Sequence, residues 1–266
     1  MERVHLIVGG YPPGSSAVHD MDFARRELLA RLAERDGVAT TVSSDFSELG
    51  KWLPGARLLI TYTAGPYPAG EGLDVLNDWL ADGGRWLGFH GTSGGKAARV
   101  EGTYLRKMVK LPHHETLGSF FLNHPPIRRF DVKVADASHP ITAGLPASFT
   151  VADELYLVEL IGDCHVLLTT ELPQDPSPEG FGFLYDSDTS LQPDGKTRVL
   201  GYTKAVGGGE VAYIALGHCH SPTTGGQTMV DTSVDPDGKS PKTFRGVWDE
   251  GVFQRLVGNA IRWGLS

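Results

Sequence analysis

The sequence predicts an α/β fold, with a mostly parallel sheet, helices on both faces, and antiparallel strands and loops added in the second half. Two observations predict it. Short apolar runs alternate with segments of helical periodicity over residues 1–90, and strands separated by helices need crossover connections, which make them parallel. From about residue 97, strands, turns and loops replace this alternation. The length of 266 residues suits one large core, so we expect a single domain over 1–266.

Four strands and two helices are expected in the first half. The strands are short apolar runs at 4–8, 38–42, 57–62 and 85–89. Apolar residues at three- and four-residue spacing mark the helices, with Met21, Ala24, Leu28 and Leu32 in the first and Leu73, Leu76 and Leu80 in the second. The loop 11–16 contains Pro12-Pro13-Gly14, which ends the first strand's run.

The second half is predicted from turns as well as apolar runs. We expect a mixed helical segment over 97–109 and strands at 130–134, 165–169, 198–203 and 210–216. The C-terminal helix has an apolar stripe of Phe253, Leu256, Val257, Ala260 and Ile261. The loop 221–245 is rich in Gly, Ser, Thr and Pro, and its length is typical of a functional lid or a disordered segment.

Composition limits the class of partner. The 24 Lys and Arg residues face 32 Asp and Glu, for a net charge of -8, which disfavours binding to nucleic acid or anionic membranes. No apolar stretch approaches the ~20 residues of a membrane-spanning helix. Cys164 and Cys219 are far apart and fit neither a disulfide framework nor a zinc ribbon. We expect a cytoplasmic protein that binds a small neutral or weakly charged molecule.

The turn Gly88-Phe89-His90-Gly91 is the clearest functional signal. It follows the apolar pair Trp86-Leu87, so a strand runs into a glycine-rich turn, a layout that presents one side chain beyond the sheet edge. The presented residue is His90. Imidazole is an acid/base catalyst or a metal ligand far more often than a nucleophile, which argues against Ser or Cys acyl chemistry.

Two further histidine loops are expected beside this turn, because the carboxyl ends of parallel strands share one edge. His19 follows the first strand and His218 follows the last one. In an extended run His218 and His220 point to the same side, so this pair is a candidate to share a metal ion or a substrate. The interpretation therefore stays open between acid/base catalysis by His90 and His218 and binding of a divalent metal.

Other residues are candidates for substrate binding: His19, His124, Asp153, Glu154 and Tyr156. His124 precedes a proline, which forces extended backbone and presents the ring to a cleft. Asp153 and Glu154 are adjacent, so only one of them faces a cleft in an extended segment, and a paired-carboxylate glycosidase mechanism is not supported. The glycine-rich turns carry neither a Walker lysine nor a dinucleotide fingerprint, so no nucleotide cofactor is expected.

Taken in order, several stretches resemble the ThuA-like (trehalose utilisation) family, within the class I glutamine amidotransferase-like superfamily. They include Leu87-Gly88-Phe89-His90-Gly91, Gly118-Ser119-Phe120-Phe121 with His124-Pro125, His139-Pro140-Ile141-Thr142, Asp153-Glu154-Leu155-Tyr156, Ala215-Leu216-Gly217-His218 and Ala260-Ile261-Arg262-Trp263. These stretches cover almost the whole chain. The resemblance implies a flavodoxin-like fold.

The resemblance also implies a substrate class. In glutamine amidotransferases the elbow carries a cysteine, whereas here it carries His90, and the family's His-Pro-Glu is replaced by His218-Cys219-His220. Glutaminase activity is therefore not expected. The resemblance implies an enzyme of carbohydrate catabolism, acting as a hydrolase, lyase or isomerase on a sugar, disaccharide or keto-sugar derivative. The alternative is a non-catalytic carbohydrate-binding or regulatory module, and a homodimer is compatible with this fold class by analogy.

Overall fold

The computed structural model of the protein describes residues 1–9 and 19–266, so the predicted loop 11–16 lies outside the described residues. The strands are β1 Glu2–Gly9, β2 Val38–Ser43, β3 Leu58–Thr63, β4 Arg85–Phe89, β5 Lys96–Arg99, β6 Arg106–Val109, β7 Ser119–Asn123, β8 Arg128–Val134, β9 Ser148–Asp153, β10 Leu157–Leu160, β11 His165–Glu171, β12 Phe183–Leu184, β13 Thr197–Val206 and β14 Gly209–Ile214. The helices are α1 Met21–Ala33, α2 Leu49–Trp52, α3 Glu71–Ala81, α4 His113–Leu117 and α5 Gly251–Leu265, with short 3-10 helices at His90–Ser93 and Gly246–Asp249.

The central sheet has the strand order β2-β1-β3-β4-β14-β13-β11-β8-β9. The pairs from β2 to β14 along this order are parallel, and those from β14 to β9 are antiparallel. Two small sheets, β10-β7 and β12-β6-β5, lie outside it. The predicted α/β class is confirmed, in the form of a large mixed sheet with helices.

Helices cover both faces of the parallel half. On one face Gly264 of α5 lies against the Leu58 side chain. On the other, Leu117 of α4 lies over Gly88, which pairs with Thr61 in the next strand. Leu58 and Thr61 are three residues apart in a strand and so point to opposite faces. Every residue of β3 is buried, as expected of a central parallel strand covered on both sides.

The segment 97–109 corrects one prediction. It was expected to be partly helical, whereas β5 and β6 form an antiparallel hairpin in which Lys96 pairs with Val109 and Arg99 with Arg106. The turn between them includes Gly102, whose φ of 74° lies in the left-handed region that glycine adopts without steric cost. Pairing with β12 adds a third strand, so contacts distant in sequence override the local helical preference.

Candidate functional site

His90 is the first residue of the 3-10 helix that directly follows β4, at the carboxyl edge of the parallel strands. Its φ of 43° is left-handed, which is uncommon for a residue other than glycine. The Tyr213 hydroxyl donates to the His90 carbonyl at 2.7 Å, which holds the turn. Gly91 is required next, because a Cβ there would collide with the Thr63 carbonyl oxygen. These contacts fix the backbone of His90 and leave its imidazole ring directed at Glu154.

His218 is held by the carboxylate of Asp153. The Gly217 and His218 amides donate to this carboxylate at 2.7 and 2.9 Å, as does the Glu154 amide at 2.9 Å. The end of β9 and the chain after β14 are thereby joined. Because three backbone donors occupy Asp153, its side chain fixes the positions of its neighbours and does not face the cavity described below.

His19 lies just before α1, whose N-terminus is capped by Asp20. The Asp20 carboxylate accepts from the Phe23 amide at 3.0 Å and from Arg245 at 2.7 Å. The Asp20 amide donates to the Cys219 carbonyl at 2.7 Å. These contacts attach the start of α1 to the segment that carries His218.

The three predicted histidine loops meet as expected. The ring centroid of His19 lies 5.0 Å from those of His90 and His218, which are 5.6 Å apart. Glu154 lies between them, with Oε2 at 3.3 Å from His90 Nε2 and 3.1 Å from His218 Nδ1. Among the described residues, one ligand atom from each of His19, His90, Glu154 and His218 lies within 4.8 Å of the others, a grouping suited to a metal ion.

A hydrogen bond on the side of the His90 ring away from Glu154 determines which ring nitrogen carries the hydrogen. His90 Nδ1 lies 2.8 Å from the Ala215 carbonyl, and because a carbonyl only accepts, Nδ1 carries the hydrogen. In a neutral ring Nε2 is then a lone pair directed at Glu154. Both His90 Nε2 and His218 Nδ1 are buried and make no hydrogen bond with any residue that the structure describes.

Electrostatics favour an ionised Glu154 carboxylate beside a neutral His218 imidazole. Burial opposes ionisation of Glu154, but His124 and His218 outweigh it and hold the pKa of Glu154 well below its usual range. Burial lowers the pKa of His218 to about 4, against the attraction of Glu154. Near neutral pH this gives an ionised Glu154 beside a neutral His218, which are the protonation states that metal ligands require.

A cavity of about 490 Å³ opens at this edge. Its lining includes His19, Tyr67, Tyr104, Arg106, Phe121, His124, Glu154, Tyr156, Phe183 and Gln227. Aromatic rings and the β5–β6 hairpin thus surround the buried polar groups at its base. An aromatic wall with a few convergent polar groups is typical of a small-molecule site.

Two lining residues stand close to the cluster without joining it. His124 Nδ1 donates to the Pro125 carbonyl at 2.8 Å, and its Nε2 lies 3.9 Å from Glu154 Oε1. The Tyr156 hydroxyl lies 3.5 Å from His19 Nε2. Burial, and then the Glu154 carboxylate, raise the pKa of Tyr156 well above its usual value, so the phenol keeps its proton.

Comparison with known proteins decides the family. A family model named ThuA and described as trehalose utilisation matches residues 14–229. The chain belongs to the ThuA family. Membership of this family implies a role related to trehalose utilisation.

Solved structures show that the fold is shared. A ThuA-like protein from Bacteroides uniformis superimposes with a TM-score of 0.65 at 19% identity, covering 100% of this chain and 91% of that one. A ThuA-like protein from Parabacteroides merdae gives 0.59 at 17% identity, covering 100% and 90%. No curated protein matches the sequence. In this ThuA-family protein no described helix is long and apolar enough to cross a membrane.

The predicted His218 and His220 pair does not share one centre in this ThuA-family protein. His220 lies behind His218, with Nδ1 at 2.9 Å from His218 Nε2 and its own Nε2 at 2.8 Å from the Pro241 carbonyl. Both of its ring nitrogens are therefore occupied. The adjacent carboxylates also divide as expected of an extended segment, since Glu154 faces the cavity and Asp153 does not.

One residue at the site, Gln227, was not predicted from the sequence. Gln227, in the 221–245 loop, donates to Glu154 Oε1 and lines the cavity. A lone glutamine in a polar loop carries no pattern that distinguishes it from its neighbours. Its position depends on how the whole loop folds back over the sheet edge.

Proposed function

We propose that this protein is an enzyme of carbohydrate catabolism that uses a divalent metal to act on a sugar, disaccharide or keto-sugar derivative. One observation carries the proposal. The unprotonated nitrogens of His90 and His218 converge on a single oxygen of Glu154 with no hydrogen bond among them. Three buried lone pairs repel one another unless a cation or an added proton lies between them.

The donor set suits a first-row metal such as Zn²⁺. Three imidazoles and one carboxylate, from His19, His90, His218 and Glu154, are the ligand types that zinc and its neighbours prefer. Ligating histidines usually donate their other ring nitrogen to a carbonyl or carboxylate. The bond from His90 to the Ala215 carbonyl has this form.

The chemistry follows from the groups around the cluster. A metal held by His19, His90, His218 and Glu154 would supply a Lewis acid able to polarise a carbonyl or hydroxyl oxygen of the substrate. His124 Nε2, on the cavity wall, is available to accept a proton from the substrate or from water. The protonated Tyr156 hydroxyl is placed to donate a hydrogen bond to an oxygen that gains charge. These roles suit proton abstraction beside a carbonyl or hydrolysis of a derivative that such abstraction makes labile.

The lining and the volume of the cavity support the proposal of a carbohydrate ligand. Tyr67, Phe121 and Tyr156 line it, and flat aromatic faces pack against the apolar C–H face of a sugar ring. The volume of about 490 Å³ falls within the range of small-molecule sites. We also propose a cytoplasmic location, which the two free cysteines fit.

The proposal is tested by following product formation by NMR on trehalose and its keto derivatives. The protein is assayed metal-free, after addition of Zn²⁺, Mn²⁺ or Co²⁺, and as the Glu154→Gln variant, with the exposed Glu171→Gln as the matched control. We expect turnover only with metal, retained in the Glu171 variant and lost in the Glu154 variant. Undiminished turnover without metal contradicts the proposal. Saturable sugar binding without product under every metal condition supports the non-catalytic module instead.

A further inference from the structure

His220 is a fully buried histidine directly behind the proposed metal site. Its ring is confined by Phe244, which stacks at 5.7 Å, and by Gly226, where a Cβ would come within 2.9 Å of the ring. Its backbone pairs with Phe244 through hydrogen bonds of 2.9 and 3.0 Å. The orientation of the imidazole is therefore fixed before any ligand binds.

The contacts of His220 determine which nitrogen of His218 carries a hydrogen. The Pro241 carbonyl, 2.8 Å from His220 Nε2, only accepts, so His220 Nε2 donates. His220 Nδ1 is then an acceptor, and it receives the hydrogen on His218 Nε2 at 2.9 Å. In a neutral ring this leaves His218 Nδ1 unprotonated, facing Glu154 Oε2 at 3.1 Å.

We propose that His220 is a positioning residue that keeps His218 in the tautomer able to bind metal, and that it links the metal site to the 221–245 loop through Pro241. The competing tautomer would place a hydrogen on His218 Nδ1, where the Glu154 carboxylate accepts it in a charge-assisted bond. That bond blocks the ligand atom. Acceptance by His220 Nδ1 opposes this alternative, and the loss of such an outer partner typically weakens metal binding about 10- to 100-fold.

The inference rests on the proposed function, and two amide variants test it separately. In His220→Asn the side-chain oxygen takes the place of Nδ1, so His218 keeps an acceptor while Pro241 loses its donor. In His220→Gln the amide nitrogen takes the place of Nε2, so Pro241 keeps its donor while His218 loses its acceptor. Each variant keeps one of the two contacts of His220 and loses the other, and the inference depends on the contact with His218.

The measurements are Zn²⁺ affinity by competition with a chromophoric chelator and the visible spectrum of the Co²⁺ form. We expect His220→Asn to keep an affinity and spectrum close to wild type, and His220→Gln to bind about 10- to 100-fold more weakly. Wild-type affinity in the Gln variant, or equal weakening in both variants, overturns the inference and leaves the proposed function standing. A wild-type protein that binds neither ion overturns both.

Discussion

Asp153 and Glu154 are neighbours in the chain, and their carboxylates serve opposite sides of the same site. Asp153 accepts the backbone amides of Gly217 and His218, whereas Glu154 faces His90 and His218. Asp153 therefore fixes the backbone of the segment after β14, and Glu154 faces the cavity. Substitutions of the two residues should separate stability from metal binding.

Asp153→Asn should lower stability. An amide keeps one acceptor oxygen, and its NH2 group then faces a backbone donor, so a buried N–H loses its partner. At pH 8, above the pKa of about 7 to which burial raises this carboxyl, we expect the free energy of unfolding to fall by about 1–3 kcal/mol. Denaturant titration measures this. Glu154→Gln is the matched control, and it should lose metal binding without losing stability. An Asp153→Asn variant with the wild-type free energy of unfolding would contradict this prediction.

Gly91→Ala should disrupt the turn that presents His90. The added Cβ collides with the Thr63 carbonyl, which is backbone and has little freedom to move. We expect a loss of about 1–3 kcal/mol in the free energy of unfolding together with weaker metal binding. Gly50→Ala is the control, since an added Cβ there meets no atom of the described residues within 4 Å. Equal stability of the two variants would show that the turn tolerates the methyl group.

His113 should make the protein less stable in mild acid. Burial, and then His114, lower the pKa of His113 from 6.5 to about 3. Between these values the unfolded chain takes up a proton that the folded chain does not, so stability is full above pH 6.5 and falls as the pH drops. Between pH 7 and pH 5 this one residue should lower the free energy of unfolding by about 2 kcal/mol. Denaturant titrations of wild type and His113→Phe at both pH values compare the losses; identical losses would contradict the assignment.

The convergence of His19, His90 and His218 was predictable because it depends on topology alone. Strand and helix alternation makes the first strands parallel, and residues that follow parallel strands share one edge. Proline and glycine residues in the first half also predict where most of its strands and helices end. In contrast, the β5–β6 hairpin depends on pairing with β12, which local sequence does not encode.

The finer division of roles at the site could not be read from the sequence. His218 and His220 have the same spacing in either role, and the partner that distinguishes His220 is the Pro241 carbonyl, 21 residues away. Likewise, Asp153 and Glu154 exchange roles if the strand register shifts by one residue. Each case depends on a backbone group placed by the folded chain.

The central claim is a metal ion held by His19, His90, Glu154 and His218, and elemental analysis of protein purified without chelators tests it most directly. His90→Gln is measured beside wild type, with His165→Gln as control because this half-exposed ring contacts Asp136, away from the cluster. We predict a near-stoichiometric first-row metal in wild type and in the His165 variant, and its loss in the His90 variant. A wild-type protein that holds no metal, and takes up none from Zn²⁺, Mn²⁺, Co²⁺ or Ni²⁺ solutions, would contradict the account.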